Sequence, residues 1–242
     1  MKLTVSNSVV GPDAFADFDR YPADRTEAAP LVIWVGGAIP GETYERRRAT
    51  EPVAILAEFE AARSLSSDPP CDLLLLSSPP TLQDLETRLD RFHHHLAFEL
   101  FPLLPLPHPT ALGLIGNSFG AHLATGFACR RPDARALATL AGVGLWDAVR
   151  QSGGELPAAL ALRCYANKDD LASGYARKLE TELAARGRFL DLVARAGDHP
   201  FADYAANGSI REAFEFVLRS VHDEPRTPRF PVSPLISRAG NS

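Results

Sequence analysis

Hydrophobic positions fall along the chain in two rhythms. Short, nearly unbroken apolar runs at Leu31 to Val35, Leu73 to Leu76, Ala111 to Ile115, Ala136 to Leu140, Leu160 to Tyr165 and Phe189 to Val193 alternate with longer stretches of helical period. Runs of the first kind read as strands buried on both faces, and their alternation with helices predicts an α/β fold with a mostly parallel central sheet. Two weaker, amphipathic segments near Leu3 to Val10 and Phe15 to Tyr21 predict an antiparallel edge. The expected sheet has about eight strands, with helices on both faces.

The helical stretches have recognisable ends. Thr50-Glu51-Pro52 opens a helix running to about Ser64, with Pro52 in the first turn where a missing N–H costs nothing. Thr81-Leu82-Gln83-Asp84 resembles a capping box and opens a helix to about Phe101, closed by Pro102. A third helix is expected from Phe119 to Arg131, stopped by Pro132, and two more over Gly174 to Ala185 and Ser209 to Val221. No internal repeat or linker interrupts this series, so residues 1–224 are expected to form one domain. Residues 225–242 are rich in Pro, Arg and Ser without periodicity, and a disordered or loosely docked tail is expected there.

Composition narrows the function classes. Of the 242 residues, 45% are hydrophobic and 23% charged, as in an ordinary globular chain. The net charge is −5 and no basic stripe is visible, which argues against nucleic-acid binding. The longest apolar stretch, Leu73 to Leu76, falls far short of the roughly 20 residues needed to cross a bilayer, so no membrane association is expected. Met1 to Gly11 is too short and too polar for a signal-peptide core. Cys71, Cys129 and Cys164 are odd in number, widely spaced and set among apolar neighbours, which predicts buried free thiols and a cytoplasmic location.

The candidate chemistry lies where a predicted strand meets a predicted helix, in Gly116-Asn117-Ser118-Phe119-Gly120, a G-x-S-x-G pattern. A serine held on a sharp, strained strand-to-helix turn leaves no room for side chains two residues before or after it, and Gly116 and Gly120 supply that room. The small residues Gly120, Ala121, Ala124 and Ala128 would let the helix approach the sheet closely. The plainer alternative is a glycine-containing turn without chemistry.

From about residue 30 to 220 the sequence resembles the α/β-hydrolase superfamily, in its general pattern and not as any particular protein. The resemblance implies a nucleophile, an acid and a histidine in that chain order. Ser118 then stands as the nucleophile. Ala166-Asn167-Lys168-Asp169-Asp170-Leu171-Ala172 is similar to the family's acid loop, in which an Asp follows a small residue by three positions, and this designates Asp169. Ala166 stands where the family usually has Gly, which leaves Asp170 as the substitute, and Asp147 after the preceding strand is a third source. Ala196-Gly197-Asp198-His199-Pro200-Phe201 resembles the histidine loop and makes His199 the base. For the oxyanion hole, the resemblance implies the backbone amide of Phe119 and a second amide from the loop Ile33 to Gly41. There Gly37 is the choice, with Ala38 close behind, although Val35 stands where the family often has histidine.

Other polar features carry less. His93, His94 and His95 are consecutive on a predicted helix and project about 100° apart, so they cannot converge on one metal. His122 reads as packing, and His108 and His222 stand in no recognisable motif. Arg46, Arg47 and Arg48 could receive an anionic substrate, but such runs are more often solvated surface.

The resemblance therefore implies a serine hydrolase acting on a small-molecule ester or thioester through an acyl-enzyme, with no metal and no cofactor. The connection from Leu145 to Ala159 is too short for a large cap, which favours an open site and a carboxylesterase. The alternatives are an acyltransferase using the same nucleophile and a hydrolase fold serving as a binding or interaction protein.

Overall fold

A computed structural model of the chain describes residues 2–3, 18–21, 29–37, 44–65, 71–76, 109–152 and 155–223, with the backbone alone for residues 2–3, 18–21 and 44–50. The strands are β1 (Lys2–Leu3), β2 (Phe18–Tyr21), β3 (Leu31–Val35), β4 (Asp72–Leu76), β5 (Leu112–Asn117), β6 (Ala134–Leu140), β7 (Ala161–Asn167) and β8 (Asp191–Arg195). The helices are α1 (Tyr44–Ser64), α2 (Phe119–Ala128), α3 (Leu145–Gln151), α4 (Ala172–Ala184), α5 (Phe201–Ala206) and α6 (Ser209–His222). One sheet runs in the order β1-β2-β4-β3-β5-β6-β7-β8. From β4 to β8 every pairing is parallel, and β1 and β2 add the antiparallel edge.

Both faces of the central strands are covered, which is why their sequences lack a polar side. In β3, Leu31, Ile33 and Val35 pack into a cluster with Leu123, Phe127 and Leu145 of α2 and α3, while Val32 and Trp34 face Ile55 and Phe59 of α1 and Phe214 and Val217 of α6. Trp34 stacks on Phe214 with ring centroids 5.8 Å apart. Burying each such side chain is worth about 1.5–3 kcal/mol, so this sandwich is what fixes the sheet that carries the site.

Several boundaries differ from the sequence expectation. The first helix opens at Tyr44, not Thr50, so Pro52 lies inside it and has no N–H to give the carbonyl one turn back. β8 starts two residues later than the apolar run. Leu190 is buried while Phe189 is 83% exposed, and the strand is registered instead by Asp191, which faces Arg163 across the ladder and pairs with its guanidinium at 2.5 Å. The segment Leu145 to Ala159 holds the short helix α3, and α5 follows directly on the predicted histidine loop. Cys71 and Cys164 are buried and Cys129 partly so, and none of the three is in a disulfide. The expected helix from Thr81 to Phe101, the triple histidine, His108, Ala38 and the tail after Pro225 lie outside the described residues, as do the side chains of Arg46, Arg47 and Arg48.

Candidate active site

Sheet order reverses between β3 and β5: the chain goes outward from β3 to β4, then returns across β3 to begin β5. Loops leaving the carboxyl ends of two such strands diverge and open a crevice, which is where ligands bind in open α/β sheets. Gly36 and Gly37 leave β3 there, and Ser118 leaves β5.

Ser118 has φ 53° and ψ −120°, a conformation that costs a non-glycine residue about 1–3 kcal/mol. The turn is held by the Ser118 N–H donating to the Leu140 carbonyl at 2.8 Å and the Ala121 N–H donating to the Ser118 carbonyl at 3.0 Å. Its flanking glycines are sterically required. A Cβ on Gly116 would stand 2.4 Å from Ala121 Cα, and one on Gly120 would stand 2.1 Å from the Val35 carbonyl oxygen. The elbow is thereby pressed against the end of β3. Gly37 arrives from the other side, where a Cβ would stand 2.8 Å from Ser118 Cβ and 2.8 Å from the Asn117 carbonyl oxygen. Phe119 opens α2, and the first N–H groups of a helix have no acceptor within it.

The other half comes from β7 and β8. His199 Nε2 lies 2.9 Å from Ser118 Oγ, and its Nδ1 lies 2.8 Å from Asp170 Oδ1. An ionised carboxylate only accepts hydrogen bonds, so Nδ1 carries the proton and Nε2 is left to accept from the serine hydroxyl. The acid facing His199 is therefore Asp170, which corrects the choice of Asp169. The turn after β7 accounts for the shift of register. Lys168 N–H donates to the Arg195 carbonyl at 2.7 Å and Asp169 N–H to the Gly197 carbonyl at 3.3 Å, so these two residues are sewn to the β8 loop by their backbone and left exposed. Asp170, one residue on, turns inward and is 2% exposed. Asp147 sits on α3 and pairs with Arg150 at 2.6 Å and Lys178 at 3.8 Å.

Charge is arranged to match. Burial pushes the Asp170 carboxyl upward, but hydrogen bonds from His199, the Ala172 amide and Tyr204, with the charge of His199, outweigh it and hold the group below its ordinary value. The hydrogen bond that its Nδ1–H donates to Asp170 raises His199 above its ordinary value despite partial burial, with the charges of Asp170 and Asp198 adding to it. Burial lowers His122, which stacks on Phe119 with centroids 5.6 Å apart and has Nδ1 3.0 Å from the Gly144 carbonyl oxygen. His122 thus packs under the first residue of α2. Among the described residues, no group of three His, Cys, Asp or Glu side chains is disposed to hold a metal.

Sequence reasoning missed two residues. Tyr204, in α5, donates from its hydroxyl to Asp170 Oδ2 at 2.7 Å, and Asn167, at the end of β7, gives its backbone N–H to that hydroxyl at 2.9 Å. The Asn167 side chain donates to the Asp198 carbonyl at 2.8 Å and accepts from Asn207 at 2.9 Å, bracing the His199 loop. Asn167 stands in the acid loop with no role of its own there, and Tyr204 belongs to no local motif. The available signal was an Asn closing β7 and an aromatic residue one turn past a proline.

Comparison with solved structures bears on the fold that carries this site. The chain superposes on a ferulic acid esterase with a TM-score of 0.64 at 12% identity, covering 92% of this chain and 98% of the other. It superposes on the S-formylglutathione hydrolase FrmB of Staphylococcus aureus with a TM-score of 0.59 at 13% identity, covering 90% and 95%. A third match is a protein of unknown function from Agrobacterium tumefaciens, assigned to the α/β hydrolases, with a TM-score of 0.57 at 16% identity, covering 93% and 98%. The chain has the α/β-hydrolase fold. No protein-family model matches the sequence, and no curated protein does either. Within the α/β-hydrolase fold, Ser118 stands after the fifth strand, Asp170 after the seventh and His199 after the eighth.

Proposed function

We propose that the protein is a serine hydrolase that cleaves small carboxylic esters or thioesters through an acyl-enzyme on Ser118. One observation carries the reading: the 2.9 Å contact of Ser118 Oγ with His199 Nε2, on a ring whose other nitrogen lies 2.8 Å from the buried Asp170. His199 takes the hydroxyl proton as Ser118 attacks the carbonyl carbon, and then delivers it to the departing alcohol or thiol. Asp170 keeps the imidazole in the required tautomer and stabilises its charged form. The amides of Phe119 and Gly37 donate to the oxygen that becomes negative. Water then attacks the acyl-enzyme, with His199 accepting its proton and returning it to Ser118. The esterases and hydrolases among the structural neighbours favour esters and thioesters as the substrate class.

The test is labelling with a fluorophosphonate probe. The native protein is expected to label and Ser118→Ala is not; an unlabelled native protein would remove the hydrolase reading. An ester and thioester panel of increasing acyl length, run with and without added alcohol or amine acceptors, then separates hydrolysis from acyl transfer.

A further inference from the structure

The reaction proposed above uses one oxygen of the Asp170 carboxylate. Oδ1 takes the His199 Nδ1 proton at 2.8 Å and the Ala172 N–H at 2.7 Å, whereas Oδ2 takes the Tyr204 hydroxyl at 2.7 Å. That hydroxyl also accepts the Asn167 N–H at 2.9 Å. Resting on the assignment of Asp170 as the triad acid, we propose that Tyr204 is a positioning residue. Its hydroxyl, anchored on the backbone at the end of β7, sets the rotation of the Asp170 carboxylate so that Oδ1 faces His199.

The need for such a residue follows from the side chain it holds. The terminal torsion of an aspartate is broad, so the orientation of its carboxylate is set by the donors around it. Ala172 N–H and His199 both act on Oδ1, and because the carboxylate turns about Cβ–Cγ as one plane, the Tyr204 donor on Oδ2 opposes the same rotation from the other side. A phenol has a single proton, and because its oxygen already accepts from Asn167, the proton is directed at the carboxylate. The anchor is rigid, since Asn167 lies in the β7–β8 ladder opposite Arg195. Tyr204 is 1% exposed, so its hydroxyl meets Asp170 away from bulk solvent. Burial, opposed by the Asn167 amide and reinforced by Asp170, raises the phenol well above its ordinary value, so it stays protonated across the working range. Tyr204 also follows His199 by five residues, on the helix that begins after Pro200. One short segment therefore carries the base and the group that steadies its acid.

The decisive experiment compares Tyr204→Phe with the native protein by NMR titration of His199 and by steady-state kinetics. The His199 midpoint is expected to fall toward its ordinary value, its Nδ1 proton resonance to broaden and move upfield, and kcat to drop roughly 10- to 100-fold with KM little changed. In an Asp170→Asn background the same substitution should add almost nothing. An unmoved or raised His199 midpoint, an unchanged kcat, or a full additive loss in the Asp170→Asn background overturns the proposal, since a hydroxyl that only supports the fold would leave the titration alone. The native protein offers a check without any variant. The Tyr204 hydroxyl proton should exchange slowly and shift with the His199 midpoint, and a resonance indifferent to that titration is equally fatal. The NMR readings need no catalysis, so they remain informative if fluorophosphonate labelling fails and the hydrolase reading falls.

Discussion

Gly37 and Ser118 lie too close to admit a side chain between them: a methyl group on Gly37 would stand 2.8 Å from Ser118 Cβ. Its neighbour is differently placed, because a Cβ on Gly36 would meet nothing closer than 3.5 Å. Gly37→Ala must therefore push the β3 loop away from the serine, and with it the amide assigned to the oxyanion. Loss of one such donor costs about 100- to 1,000-fold in kcat, and a loss of that size is expected for Gly37→Ala but not for Gly36→Ala. Equal rates in the two variants would remove Gly37 from the oxyanion hole.

The acid assignment separates adjacent residues. Asp170→Asn should lower kcat by about 10⁴-fold while Asp169→Asn, altering an exposed side chain, leaves it within a factor of two or so. Kinetics on the two purified variants decide the matter, and the reverse ranking would restore Asp169.

A pH profile follows from the direction of the His199 shift. The base must be neutral to accept the serine proton, and its partnership with Asp170 raises the value at which it becomes so. The acidic limb of kcat/KM should therefore have its midpoint above about 6.5, the ordinary histidine value, with activity rising as pH increases through it. Asp170, held below its ordinary value, stays ionised throughout this range. A limb centred below that point, or a flat profile from pH 5 to 9, contradicts the arrangement.

Strain at the elbow has a measurable counterpart. Ser118→Ala retains a Cβ at φ 53°, whereas Ser118→Gly removes it. The glycine variant should be more stable than the alanine variant by about 1 kcal/mol in urea unfolding, with both unable to react. Equal midpoints would show that the backbone is relaxed there.

The sheet and the elbow were legible because each is written locally. Buried parallel strands need apolar side chains on both faces, so runs such as Leu73 to Leu76 declare themselves, and an elbow admits only glycine at its flanks. The choice between Asp169 and Asp170 was not written locally. It is made by backbone bonds from Lys168 and Asp169 to a loop nearly 30 residues away, which rotate one carboxylate outward and the next inward. Tyr204 was invisible for the same reason, since its two partners come from β7 and the turn after it. The start of α1 escaped because a proline was read as an opening signal, while a 21-residue helix has enough other hydrogen bonds to absorb one that is missing.

Sheet order also decides what moves with what. Ser118, Phe119 and Gly37 ride on the neighbouring strands β3 and β5, while Asp170 and His199 ride on β7 and β8, with Asn167, Tyr204 and the Arg163 to Asp191 pair tying the second group together. On the proposed mechanism the site is a machine of two preassembled parts, an electrophile cradle and a proton carrier, and β6 is the spacer between them. Their working contact is the Ser118 to His199 hydrogen bond. A small change in the twist of β6 would alter that distance first and leave each part internally intact, so this spacer strand is where the fold would tune the rate without touching a reacting group.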